Sequence, residues 1–240
     1  MRVILKLGGA IITDKREGLF DKAEYNTINR LAEEIAEVKD VELILVHGAG
    51  SFGHPYIKKY GLSPEGISRT HLACERLCTI ICNALLDKGL NPAPIHPFSS
   101  FKIENCNIKY DPQIFEELME EFIPVTHGDV VRKDSEWCVL SGDDIVVELA
   151  KKLKADRVGF ATKTQIYFRG QPVEEFHLEK LHELDSKEDN TSDVTGGMFG
   201  KLKKVMEIVD RVEVFVFNGM INGSVSSFLR GADVGTKILP

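Results

Sequence analysis

The run VELILV, residues 41–46, is apolar except for Glu42, and it empties into HGAGSFGHP, residues 47–55. A strand with one wet face alternates apolar and polar residues. A nearly continuous apolar strand belongs to a sheet covered on both sides. That condition selects an α/β chain in which helices flank a mostly parallel sheet.

The remaining sequence keeps the same alternation. Residues 3–7 read as a strand ending in Gly8-Gly9. In residues 25–38, Ile28, Leu31, Ala32, Ile35 and Ala36 share one helical stripe. Residues 69–88 form a mostly apolar helix, and strand and hairpin material is expected over 93–110. A helix over 112–121 and a strand over 122–127 follow. The second half reads as helix 144–153, strand 157–161, helix 198–209, strand 212–217, helix 223–230 and strand 236–239. There is no internal repeat, low-complexity tract or Pro/Ser-rich linker. Ligands of such sheets sit beyond the carboxyl ends of the strands, where the glycine motifs of this chain fall.

A formal charge of -7 argues against a general nucleic-acid binder. It leaves open an anionic small ligand, which local lysines and backbone N–H groups decide. The start MRVILKLGG lacks the features of a secretory leader, and no apolar stretch approaches the roughly 20 residues of a membrane helix. A soluble, cytoplasmic protein is expected, with no membrane partner. Of five cysteines, Cys74, Cys78 and Cys82 recur every four residues on one helix face. They read as small hydrophobes, because a metal cluster would want mixed His/Cys ligands at turn-type spacing.

Four segments carry chemistry. In LKLGGAIITDK, residues 5–15, Lys6 precedes a strand-ending Gly-Gly whose bare N–H groups can cradle an anion; a surface lysine before a plain turn is the bland alternative. In HGAGSFGHP, Gly48, Gly50 and Gly53 let a phosphate approach the main chain, yet neither Walker nor Rossmann flanks are present. His54 reads as a hydrogen-bond donor to an anion, or as a structural cap on the helix YIKKY. His47 reads as structural. HGDVV (127–131) and LSGDD (140–144) read as turns at a sheet edge, with Asp143 and Asp144 placed to cap the next helix. In DVTGGMFGK, residues 193–201, Thr195 and the glycines lead into a helix with Lys201 one turn in, a second anion site or a glycine-rich surface loop. Several glycine cradles, lysines, a histidine and acids suit phosphoryl transfer, which demands positioning and charge neutralisation. No serine elbow or Cys–His signature competes.

Taken in order, ILKLGGAIITDK, LILVHGAGSFGHP, IPVTHGDVV, SGDDI, DVTGGMFGK and VFNG resemble the amino acid kinase superfamily, and within it the archaeal-type isopentenyl phosphate kinases. The resemblance spans nearly the whole chain, and GSFGHP is its most specific piece. It implies an open αβα sandwich with a mostly parallel central sheet, and a homodimer. It also implies an acceptor lobe over 1–154 and a lobe for ATP and Mg²⁺ over 155–240, sharing one continuous sheet. By position, Lys6, Gly8, Gly9 and Ala10 would meet the ATP phosphates, with Gly197 and Lys201 on the same nucleotide. Lys15 would lie over the transferring group. Ala49 and Gly50 would offer N–H groups between donor and acceptor. His54 and Gly142 would bind the phosphate of isopentenyl phosphate. Small residues of helix 69–88 (Ala73, Cys74, Leu77, Cys78 and Ile81) would line a slot for the acceptor's tail, or else pack in the core.

Two departures stand out. Ala10 replaces the usual Ser or Thr. In ATKTQIYFRG, residues 161–170, Lys163 and Gln165 replace two acids on the nucleotide side and the turn glycine is missing, while Thr162 persists. Two other functions compete: a sibling kinase acting on another alkyl phosphate or on a phosphonate such as fosfomycin, and a non-catalytic protein that binds a nucleotide or oxyanion.

Overall fold

The computed structural model describes residues 1–183 and 197–240. In chain order the strands begin with β1 (Arg2–Leu7), β2 (Glu42–His47), β3 (Pro92–Pro94), β4 (Lys102–Glu104) and β5 (Asn107–Lys109). Next come β6 (Ile123–His127), β7 (Asp129–Lys133), β8 (Glu136–Leu140) and β9 (Arg157–Thr162). Last are β10 (Tyr167–Phe168), β11 (Gln171–Pro172), β12 (Glu175–His177), β13 (Glu213–Asn218) and β14 (Thr236–Leu239). The helices are α1 (Gly9–Ile12), α2 (Tyr25–Ala36), α3 (His54–Tyr60), α4 (Pro64–Leu86) and α5 (Pro97–Ser100). They continue with α6 (Gln113–Leu118), α7 (Gly142–Lys152), α8 (Gly197–Val205) and α9 (Ser224–Leu229).

Eight strands form one sheet in the order β12-β14-β13-β9-β1-β2-β6-β3. Its pairings are parallel except β13 with β14. β1 lies between β2 and β9, so the sheet runs unbroken across residues 154 and 155.

Period-two alternation along β1 divides the core. Val3, Leu5 and Leu7 join Leu31 and Ile35 of α2, Leu77 and Ile81 of α4, and Phe228 of α9. Ile4 faces the other way, with Ile145 and Leu149 of α7 and Leu202 and Val205 of α8. Each fully buried aliphatic side chain here contributes about 1.5–3 kcal/mol relative to exposure. The result is the three-layer arrangement expected from the sequence. Lys6, on the Ile4 side of the strand, is thereby aimed at α7 and α8.

Register then aligns the loops. Leu7 pairs with His47 on one side and Ala161 on the other, and His47 pairs with His127. Four parallel strands therefore end in one row, and the segments that leave them emerge side by side. No described helix is long and apolar enough to cross a membrane.

The sequence reading missed a second sheet. β7 and β8 form an antiparallel hairpin that β4 and β5 extend into a four-stranded sheet, where turns were expected at 127–131 and 140–144. Its tight turn carries no glycine, and Asp134 takes the positive φ of 48°. The helix expected from residue 144 starts instead at Gly142.

Candidate active site

At the centre, Lys6 Nζ and Lys201 Nζ both donate to Oδ1 of Asp143, at 2.5 and 2.6 Å. All three side chains are about a tenth exposed, at 9% each. Lys6 comes from β1, Asp143 from the first turn of α7, and Lys201 from the second turn of α8. Burial opposes the charge on Asp143, but the adjoining Lys201 and Lys6 ammonium groups overturn it and hold the carboxyl well below its usual range. Burial lowers Lys6 to about 8, against the pull of Asp143 and with help from the Lys201 charge. Lys201 also lies over the Phe160 ring, 4.6 Å from its centroid.

The sequence placed Asp143 and Asp144 as helix caps, and the structure corrects both. Ser141 is the N-cap of α7: its Oγ accepts from the Asp144 N–H at 3.2 Å. Lys204 Nζ then reaches Ser141 Oγ and Asp144 Oδ1, each at 2.8 Å. With the cap filled, Asp143 turns inward. Its position in the first turn also favours a negative charge through the helix dipole.

The glycine loops meet backbone to backbone. A Cβ on Gly9 would stand 2.6 Å from the Gly50 nitrogen, and one on Gly48 would stand 2.5 Å from the Gly9 nitrogen. Gly50 has φ +51°, and a Cβ there would fall 1.9 Å from Thr13 Oγ1. That hydroxyl is already committed: it donates to the Gly9 carbonyl at 2.6 Å and accepts from Ser51 N–H at 3.0 Å. Gly8 N–H donates to the Ala161 carbonyl at 2.9 Å, which holds the first loop against the end of β9. Gly142 sits over Lys6, its would-be Cβ 3.2 Å from Lys6 Cε and 3.3 Å from the His47 carbonyl oxygen. The bare main chain of Gly142 and the two ammonium groups on Asp143 therefore share one spot.

The other expected residues distribute around this centre. Ala10 lies half-buried in α1, and Lys15 half-buried just beyond Thr13. Ala49 precedes the 3-10 turn Gly50–Phe52, and His54 opens α3 with Gly53 before it. Gly53 is packed on that turn, since a Cβ on it would lie 2.5 Å from Ala49 Cβ. Thr162 spends its hydroxyl on the backbone, donating to the Thr164 carbonyl. Lys163 is exposed and Gln165 half-buried. Gly197 is the first residue of α8, and Thr195 lies outside the described residues.

Two further expectations resolve, one on α4 and one on β2. Ala73, Cys74, Leu77, Cys78 and Ile81 are at most 2% exposed, so they are core residues and do not line a slot. His47 is fully buried and stacks on His127, as its structural reading requires, and burial brings it down to about 4. Beside Gly128, which would press a Cβ to 3.0 Å from the Gly142 nitrogen, Asp129 accepts from Val130 N–H and pairs with His71 Nδ1, both at 2.8 Å. The His71 ring stacks on Phe98, and Phe98 on Trp137, with centroids 4.2 and 5.1 Å apart.

The sequence profile of the amino acid kinase family matches residues 1–218. An isopentenyl phosphate kinase of Methanocaldococcus jannaschii is 32% identical over 99% of this chain and 98% of its own. One from Haloferax volcanii is 34% identical over 98% of both chains. An isopentenyl phosphate kinase solved by X-ray superimposes with a TM-score of 0.84 at 25% identity, covering 99% of this chain and 100% of that one.

Proposed function

Because the chain belongs to the amino acid kinase family, we propose that it transfers the γ-phosphoryl group of ATP to isopentenyl phosphate, giving isopentenyl diphosphate and ADP. The observation that carries this reading is the Lys6–Asp143–Lys201 triad, with Gly142 over Lys6 and the Gly9, Gly48 and Gly50 main chains in contact with one another. Full-length likeness to the two archaeal isopentenyl phosphate kinases supports the acceptor.

The donor set fits a polyphosphate. Two ammonium groups against one carboxylate leave a net positive charge, and glycine backbone leaves room for phosphate oxygens. Mg²⁺ suits this site as a companion of the nucleotide, since it keeps several waters and binds through phosphates with few protein oxygens. When bound it would neutralise charge on the β- and γ-phosphates.

The difficulty of the reaction is electrostatic, because two polyanions must meet. A phosphate monoester has its second pKa near ~6, so the attacking oxygen is already anionic at neutral pH and needs no general base. Lys6 and Lys201, spaced by Asp143, hold the nucleotide phosphates. Lys15 covers the transferring group. The amides of Ala49 and Gly50 receive charge on its equatorial oxygens, where pre-aimed donors act at full strength. His54 and the Gly142 amide hold the acceptor phosphate. With the inner face of α4 sealed in the core, the acceptor's tail would run along the His71, Phe98 and Trp137 rings. Residues 1–154 would then carry the acceptor and 155–240 the nucleotide. A homodimer in the cytoplasm completes the reading.

The test is ADP release with isopentenyl phosphate, dimethylallyl phosphate, geranyl phosphate and fosfomycin compared side by side. Turnover highest on isopentenyl phosphate is expected. Preference for fosfomycin would replace the acceptor, and ATP binding without ADP release on any acceptor would replace the activity.

A further inference from the structure

Cys78, His96 and His127 each turn one ligand atom toward a shared space, all within 4.8 Å of one another. They come from three elements: the middle of α4, the N-cap of α5 and the last residue of β6. Cys78 and His127 are fully buried and His96 half-buried. None belongs to the Lys6–Asp143–Lys201 site.

The proton position of His127 makes this more than proximity. His127 Nδ1 lies 3.1 Å from the Gly128 carbonyl oxygen, a pure acceptor, so the proton sits on Nδ1 and the lone pair on Nε2. That Nε2 faces His96 Nδ1 at 3.0 Å. Nε2 of His96 lies 4.0 Å from the Glu75 carboxylate, beyond hydrogen-bond reach, so in the metal-free chain a proton on His96 Nδ1 can donate to His127 Nε2. A metal ion would take the place of that proton, with His96 protonated on Nε2 instead. The Gly128 carbonyl behind His127 is a support of the kind that metal-bound imidazoles use. Ligands about 2.0–2.3 Å from a zinc ion stand roughly 3–4 Å apart; the two imidazole nitrogens are 3.0 Å apart, and the three ligand atoms lie within 4.8 Å, so the set would close slightly on an ion.

We propose that Cys78, His96 and His127 form a structural binding site for a thiophilic transition-metal ion of the zinc class. A thiolate with two imidazoles selects such an ion over Mg²⁺ or Ca²⁺, which prefer oxygen. Binding forms a metal–sulfur bond, releases the Cys78 thiol proton to solvent and transfers no electrons. Three protein ligands leave the fourth position to water. The ion would tie α4 and the α5 loop to the sheet edge directly behind Gly128, which abuts Gly142.

The experiment uses the full chain, stripped with a chelator and titrated with Co²⁺ while absorption is recorded. One Co²⁺ per chain is expected, with an intense sulfur-to-cobalt charge-transfer band that Zn²⁺ abolishes, and Zn²⁺ should raise the Tm. Cys78→Ser should lose the band, and His96→Ala should weaken binding at least ~10-fold. Cys106→Ser, at an exposed cysteine elsewhere, should leave both unchanged. If Cys78→Ser does not fold by circular dichroism, His96→Ala and Cys106→Ser still decide. A wild-type chain without the band at stoichiometric Co²⁺ overturns the proposal. So does a band that persists at full affinity in His96→Ala.

Discussion

Lys6 and Lys201 converge on a single oxygen of Asp143, although one ammonium comes from the first strand and the other from a helix late in the chain. Among the described residues it is this carboxylate, accepting from both, that lets two buried ammonium groups lie so close before a nucleotide arrives. Asp143→Asn should therefore damage both stability and turnover. Removing one partner of a buried ion pair costs about 3–5 kcal/mol, because uncompensated charge remains. Urea unfolding should report that loss, and kcat should fall at least ~100-fold. Lys6→Ala should separate the two effects, keeping the Lys201–Asp143 pair and most of the stability while turnover falls comparably.

The lowered pKa of Lys6 sets an alkaline limit. Its folded value is about 8 against an ordinary 10.5, so it loses its proton earlier in the folded chain than in the unfolded one. Activity that needs the ammonium should decline as pH rises through about 8, read as the upper limb of kcat/KM. Stability should move the opposite way. Between 8 and 10.5 the unfolded chain binds more protons at this residue, so its contribution to folding rises with pH. Lys6→Arg, which stays charged, should push the alkaline limb upward whatever its effect on kcat. A limb unchanged in that variant would assign it to another group.

Much of this architecture was legible because its determinants are local. The nearly continuous apolar run of β2 and the glycines at strand ends specify a doubly covered sheet and where its loops emerge. Asp143 was not legible in its role. A carboxylate in a first helical turn looks like a cap, and only the competing Ser141 cap together with the packing of α8 turns it inward. The β7–β8 hairpin escaped because its turn uses Asp134 at positive φ without a glycine. The meeting of Cys78, His96 and His127 escaped because it depends on register between α4 and β6, which no sequence spacing encodes.

His54 tests the acceptor half of the site. As first residue of α3 it is half-buried and belongs to neither hydrophobic core cluster, so His54→Ala should lose far less stability than activity. Its turnover should fall by orders of magnitude on a phosphorylated acceptor. His54→Gln, which keeps an N–H donor, should recover part of it. Steady-state kinetics at varied isopentenyl phosphate checks this, and wild-type kcat/KM in both variants would remove His54 from the site.

Gly50 and Thr13 should be energetically coupled. A methyl group at Gly50 meets Thr13 Oγ1 and must also accept φ +51°, a conformation costing an L-residue roughly 1–2 kcal/mol. Gly50→Ala should therefore be destabilising by more than that backbone cost alone. Thr13→Ala removes the nearest atom, though the Gly9 carbonyl oxygen stays at 2.8 Å, and it forfeits the bonds to Gly9 and Ser51. The double variant should be less destabilised than the sum of the two, with a coupling of about 0.5–3 kcal/mol in a denaturation cycle. Strict additivity would mean the loops shift apart, and ADP release in Gly50→Ala should then fall more than its stability does.

Lys163 is the departure that bears on the nucleotide. It stands just past the end of β9, exposed. Arg16 is the main cause of the lowered Asp14 carboxyl, and Lys163 adds to it, so its charge reaches across to the segment after α1. An exposed lysine beside a site for a polyanion acts through long-range attraction, which favours the free nucleotide and its transition state alike. Lys163→Asp should accordingly raise the KM for ATP several-fold and leave kcat nearly unchanged, the signature of lost uniform binding. Because exposed charges are screened over about 10 Å at 0.1 M salt, the difference from wild type should shrink as ionic strength rises. A KM effect that salt does not touch would instead mean that Lys163 contacts the nucleotide directly, and a fall in kcat would place it at the transferring phosphate.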